Sequence, residues 1–218
     1  LNLKFDKKWE TEIYKKKKQI NKYPYNSIVS AVNKSFKNKK INKSCALDLG
    51  CGTGNNLKFL VNYGFKKVIG IDGSKSAINE AKKTLKKNKC ELICADFINY
   101  NFGKKKYDLI IDRGSVTHNL KENIDKIFNS LKIALKDEGI LISHLFSQKH
   151  SEFKNYKSKE SFKKSMRVSV GMTANFFSKK DIINLFKDFN ILSLSHAVKT
   201  DIFTKEVSAF WYIIAKSK

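Results

Sequence analysis

From Cys45 to Phe146 the chain alternates short apolar runs with amphipathic stretches of helical period. Few architectures accept that pattern. A strand joined by a helix to a parallel neighbour must be buried on both faces, so the pattern predicts an α/β fold with helices on both sides of a mostly parallel sheet. Cys45–Leu49 reads as the first strand, followed by a glycine-rich turn and a helix over Asn55–Tyr63 that Gly64 closes. Residues 68–71 form a second strand. Ser74 can cap a helix over 75–87, with Ala77, Ile78, Ala81 and Leu85 on one stripe. Strands over 91–94 and 107–111 follow, then a helix whose apolar face holds Ile124, Ile127, Phe128, Leu131 and Leu135. Gly139 ends the turn before a fifth strand at 140–146.

Residues 147–177 are polar and aperiodic, too long for an ordinary connection, and read as a lid-like insert. Ser178 and Asp181 form a capping box opening a helix with Ile182, Leu185, Phe186 and Phe189 on one face. Apolar runs at 191–194 and 210–215 read as antiparallel strands closing the sheet. No linker or repeat divides the sequence. The organisation expected is a helical N-terminal cap over 1–40 and one domain over 41–218.

Ligands of such sheets lie beyond the carboxyl ends of the strands, here after Leu49, Ile71, Cys94, Ile111 and Phe146. The first of these segments reads Asp48-Leu49-Gly50-Cys51-Gly52-Thr53-Gly54-Asn55. Glycines let backbone approach a ligand with no Cβ in the way. A dinucleotide fingerprint would need glycine at position 55, where Asn55 stands. Asp48, two residues before the first glycine, suits a ligand with positive charge better than a pyrophosphate.

This segment resembles motif I of the class I S-adenosylmethionine-dependent methyltransferases. The resemblance extends through Ile71-Asp72-Gly73-Ser74 and Ala95-Asp96-Phe97, and covers about 45–146. It implies a Rossmann-like seven-stranded sheet in the order 3-2-1-4-5-7-6 with strand seven antiparallel. It also implies S-adenosylmethionine as cofactor and S-adenosylhomocysteine as product. Asp48, Gly50, Gly52, Gly54, Asp72, Gly73, Ser74, Asp96, Phe97 and Asp112 are its cofactor-binding candidates. Asp72 would accept from both ribose hydroxyls and Asp96 from the adenine amine. Phe97 either covers the ring or is plain core.

The amine and amide methyltransferases carry N/D-P-P-Y/F after strand four, where this chain has Asp112-Arg113-Gly114-Ser115. Oxygen is therefore the preferred acceptor atom. His118 and, second, His144 are candidate bases, and either can instead be an ordinary loop or core histidine. Arg113 would meet the acceptor or the cofactor carboxylate, or pair on the surface. Trp9, Tyr23 and Tyr25 would line the acceptor pocket or simply pack, and the stretch holding them resembles the helical cap of bacterial small-molecule members of the family.

The net charge of +24 is almost wholly lysine, since Arg113 and Arg167 are the only arginines. Codon bias explains much of that, and a nucleic-acid surface would normally use arginine as well. An RNA methyltransferase is the second reading, and a non-catalytic cofactor-binding protein the third. The lysine excess favours a small anionic acceptor, phosphorylated or nucleotide-linked, such as a polysaccharide precursor. Cys45, Cys51, Cys90 and Cys94 show no zinc spacing, no metal site is expected, and reduced thiols fit a cytoplasmic protein. No apolar run reaches the ~18 residues of a membrane span, and the sequence does not specify an oligomeric state.

Overall fold

The computed structural model describes residues 5–85, 90–154 and 171–218. Seven strands form one sheet in the order β3-β2-β1-β4-β5-β7-β6. They are β1 Cys45–Leu49, β2 Lys67–Asp72, β3 Cys90–Cys94, β4 Tyr107–Arg113, β5 Leu135–Phe146, β6 Phe189–Thr200 and β7 Val207–Ser217. Strands β1 to β5 pair in parallel, while β7 runs antiparallel to both β5 and β6. The order and the lone reversed strand match the expected Rossmann-like sheet.

The period-2 geometry of the central strands feeds two cores. Leu47, Leu49 and Ile110 point to one face, where α4 (Lys121–Ala134) and α6 (Lys179–Leu185) cover them. Ala46, Leu109 and Ile111 point to the other, under α1 (Asn26–Phe36), α2 (Asn55–Tyr63) and α3 (Lys75–Leu85). Leu47, Leu57 and Leu131 are fully buried, and truncating any of them to alanine costs ~2–5 kcal/mol.

The structure departs from the sequence reading at element ends. Helix α3 is described to Leu85, and the expected residues 86–87 lie outside the described residues. Strand β5 starts at Leu135, but its pairing with β4 jumps from Leu135 to Ile140. Residues 136–139 bulge between, with Glu138 at φ +65°. Helix α6 ends at Leu185, so Phe189 opens β6 instead of extending the helix face. Strands β6 and β7 form a long hairpin, well beyond the apolar runs. Strand β6 is the sheet edge with much of its length wet, so it needs no continuous apolar run.

Helix α1 does not cap anything: Ile28, Val32 and Phe36 pack into the second core. What lies over the carboxyl edge is the stretch before it, residues 5–25, including a π-helical turn at Trp9–Tyr14. Of the insert, α5 (Ser151–Lys154) and residues 171–177 are described, the latter joined to the sheet by a Ser147–Phe177 bridge. Among the described residues no helix is long and apolar enough to cross a membrane.

Candidate active site

The carboxyl edge of β1, β2 and β4 opens into a cleft that communicates with solvent. Its floor is the glycine turn. Gly50 and Cys51 donate from their N–H groups to the Ile71 carbonyl at 2.8 and 3.0 Å, which folds the turn over the end of β2. Gly50 sits at φ +67°, and a Cβ there would lie 2.4 Å from Ser115 Cβ. Gly52, at φ +52°, faces the Tyr14 hydroxyl 2.8 Å from where its own Cβ would be. Both positions need glycine for conformation and for space.

Asp72 ends β2 against that turn. Its Oδ2 accepts from Gly52 N–H at 2.9 Å and its Oδ1 from Ser74 N–H at 2.8 Å. Burial pushes its carboxyl up to about 6, against these two hydrogen bonds, so it is ionised at pH 7. No lysine or arginine among the described residues pairs with it. A buried, ionised and unpaired carboxylate on a cleft wall is costly unless a cation or strong donors arrive.

The post-β4 loop supplies the opposite wall. Asp112 is fully buried and shapes that loop: Oδ1 accepts from Ser115 Oγ (2.6 Å) and Val116 N–H (3.1 Å), and Oδ2 from Ser143 Oγ (2.8 Å). The short helical turn Val116–His118 follows. His118 Nδ1 lies 3.0 Å from the Thr173 carbonyl. A carbonyl only accepts, so Nδ1 carries the hydrogen and Nε2 the lone pair. Burial pushes the ring down to about 4, keeping it neutral at pH 7.

Two segments distant in sequence roof the cleft and are tied together. Lys8 Nζ donates to the Gly171 carbonyl, Ile13 packs with Met172 and Trp9, and Asn175 N–H donates to the Thr117 carbonyl at 2.8 Å. The N-terminal side is anchored by Glu10, which accepts from Ser74 Oγ (2.5 Å), Ser76 N–H (3.0 Å) and Ser76 Oγ (2.7 Å) at the start of α3. Thr53 Oγ donates to the Asn21 carbonyl at 2.9 Å, joining the glycine turn to the same segment.

Gly50, Gly52, Asp72, Gly73 and Phe97 line the cleft, as do Trp9, Tyr25, Arg113 and His118. Seven other candidates do not. Asp48 is buried behind the turn, and burial, the largest influence, raises it to about 8, so it is largely protonated at pH 7 and gives a ligand no negative charge. Gly54 caps α2 and packs on Ala81 of α3. Ser74 Oγ accepts from Ala77 N–H as the cap of α3. Asp112 holds its own loop. Asp96 accepts from Phe5 N–H (2.8 Å) and Ile98 N–H (3.0 Å), beneath the N-terminal segment. Tyr23 is 83% exposed and only its carbonyl is used, by Asn55. His144 is buried inside the sheet against Tyr212, with Nδ1 unpartnered and the ring pushed down to about 3 by burial. Phe5, Asp6, Tyr14, Ser115 and Phe146 line the cleft without having been singled out. Position after a strand could have flagged Ser115 and Phe146; nothing local flags the other three.

A model of the methyltransferase domain matches residues 46–139. Residues 46–139 therefore carry a methyltransferase domain, and the fold is one shared with S-adenosylmethionine-dependent methyltransferases. An uncharacterized protein of Haemophilus influenzae is 32% identical over 124 residues, covering 53% of this chain and 44% of that protein. A malonyl-[acyl-carrier protein] O-methyltransferase of Priestia megaterium is 29% identical over 118 residues, covering 53% and 42%. The fold superposes on a methyltransferase of Methanosarcina mazei, described as S-adenosylmethionine-dependent, with a TM-score of 0.70 at 19% identity, covering 89% of this chain and 98% of that one. The chain spans less than half the length of the curated relatives it matches.

Proposed function

We propose that the protein binds S-adenosylmethionine in this cleft and transfers its methyl group to an oxygen of a small acceptor carrying an anionic group. One observation carries the reading: Asp72 is ionised, nearly buried and without a cationic partner among the described residues, beside a glycine turn on the wall of an open cleft. The carboxylate oxygens each accept one backbone hydrogen bond, so each keeps capacity for a ribose hydroxyl. The glycine turn would present its backbone polar groups to the nucleoside, and Phe97 an apolar wall. When bound, the cofactor supplies an activated sulfonium methyl whose leaving group is a neutral thioether.

The protein's main task is then alignment, which can supply ~7–11 kcal/mol of the barrier. Oxygen as acceptor atom is supported by the missing N/D-P-P-Y/F run at Asp112–Ser115 and by the O-methyltransferase relative. His118 Nε2 is the atom that would take the hydroxyl proton. Arg113 is the one cation on the cleft among the described residues, so the acceptor carries one anionic group; a phosphorylated or nucleotide-linked sugar draws no support from this lining. We read the protein as cytoplasmic, in keeping with its free cysteines.

Calorimetry with S-adenosylmethionine and with NAD tests the cofactor, and S-adenosylhomocysteine release over an acceptor panel tests transfer. Saturable binding of the sulfonium compound and release with an oxygen acceptor are expected. A preparation that binds NAD instead sinks the reading.

A further inference from the structure

The β4–β5 end of the cleft has a composition unlike the rest. The Trp9 and His118 rings meet edge-on with centroids 4.8 Å apart, and His118 meets Phe146 edge-on at 5.4 Å. Phe146 packs on Phe210 at 5.0 Å. The Arg113 guanidinium lies over Phe210 at 5.2 Å and over Tyr25 at 4.0 Å from their centroids. Trp9, His118, Phe146, Arg113 and Tyr25 thus make a continuous wall of flat groups, all facing the cleft, with Phe210 bracing it from behind.

From this wall we infer that the acceptor is a planar aromatic acid: an aryl ring bearing a single carboxylate, with the hydroxyl to be methylated. Aromatic faces and edges favour a flat, polarisable partner over a saturated one. A guanidinium seated over two rings is held by cation–π attraction and still has its N–H donors for a planar carboxylate, which it can meet with two parallel hydrogen bonds. No carboxylate among the described residues uses those donors. The charge pattern also orients the acceptor. Asp72 lines the other half of the cleft, beside the glycine turn, so an acid group is repelled there and drawn to Arg113. Lysines, numerous elsewhere, are missing from the lining among the described residues, and a polyphosphate would find one cation where it needs several.

The inference rests on the methyl-transfer reading for the chemistry, but not for the binding. The test is calorimetry on the full chain, alone and saturated with S-adenosylhomocysteine, using three probes. 4-Hydroxybenzoate has ring and charge, phenol has the ring alone, and 4-hydroxycyclohexanecarboxylate has the charge alone. The first should bind at least tenfold more tightly than either of the others. Arg113→Met should remove the advantage over phenol, and Phe146→Leu most of the advantage over the saturated acid, with S-adenosylhomocysteine affinity within twofold of the parent. Equal binding of the three probes, or none by any, overturns the inference on the parent protein, whatever the variants do. A tenfold loss of S-adenosylhomocysteine affinity in Arg113→Met, with probe binding retained, overturns it too, because Arg113 then serves the cofactor. Failure to bind S-adenosylhomocysteine at all strikes the earlier reading instead, and the probe ranking on the unloaded protein still decides this one.

Discussion

Along the cleft, the β1–β2 half is built on glycine backbone faced by Phe5 and Tyr14 and on an ionised carboxylate, whereas the β4–β5 half joins rings to a guanidinium. The first is assembled from residues close in sequence, the glycine turn and the end of the next strand, and its geometry is held by backbone hydrogen bonds. The second gathers Trp9, Tyr25, Arg113, His118 and Phe146 from segments far apart, and side-chain packing holds it. The difference teaches that one half is fixed by what the backbone can do and tolerates little. The other can change its side chains while the sheet beneath stays the same, which is how one fold serves many acceptors.

The contrast can be broken most severely at Gly50. Gly50→Ala imposes a left-handed conformation costing ~1–2 kcal/mol on a Cβ that meets Ser115. With overpacking of ~1–3 kcal/mol added, melting should fall by several degrees. S-Adenosylhomocysteine affinity should fall by roughly a hundredfold or more; an unchanged isotherm would show that the turn is not the floor of the site.

Asp72→Asn comes next. Losing charged hydrogen bonds worth ~1.5–3 kcal/mol each should weaken S-adenosylmethionine roughly ten- to a hundredfold. The pH dependence sharpens this. The ionised form is the one that attracts a sulfonium, and burial has raised the group to about 6. Native affinity should therefore fall as pH drops through about 6, while the Asn variant stays flat; titration calorimetry at several pH values separates the two.

On the ring-lined half, His118→Gln should lower turnover roughly tenfold, below the ~10²–10⁴-fold of a well-matched base, and leave S-adenosylhomocysteine affinity within about twofold. Because the ring titrates near 4, no inflection from His118 should appear in kcat between about pH 5.5 and about pH 8. One that vanishes in the variant would contradict the neutral imidazole.

The smallest effect belongs to the anchor between the roof and α3. Glu10 is desolvated, yet hydrogen bonds from Ser74 and Ser76 hold its carboxyl below the ordinary value. Glu10→Gln keeps the shape and removes the charge, so a stability loss of ~1 kcal/mol or less is expected. At ~2–4 °C per kcal/mol for a chain of this size, thermal melts should show a shift of a few degrees at most.

How much of this was legible follows the same division. The order of strands could be read because β1, β2 and β4 are sandwiched between helix layers, which forces continuous apolar runs. Strand β6 could not be bounded, because its wet edge leaves no such run. In the site, Gly50, Gly52 and Asp72 were legible because spacing along a turn is itself the signal. Asp48 misled: beside the glycines it looks like an anion for a cation, but depth of burial, invisible in the sequence, favours its protonated form. Asp96 and Ser74 carry the expected residue types, yet Phe5 and Glu10, each more than sixty positions away, occupy them. Phe146 was placed on its strand and not recognised as wall, since nothing in its neighbours says which way the cleft opens.

The placement of the two tryptophans gives the molecule a built-in optical gauge. Trp211 is buried, stacked on His196 and donating from its indole nitrogen to the Phe177 carbonyl, so its surroundings stay constant while the fold persists. Trp9 stands at the cleft, edge-on to His118. Light emitted by the pair should therefore divide into a steady part that follows unfolding and a responsive part that follows what enters the cavity, with no dye attached.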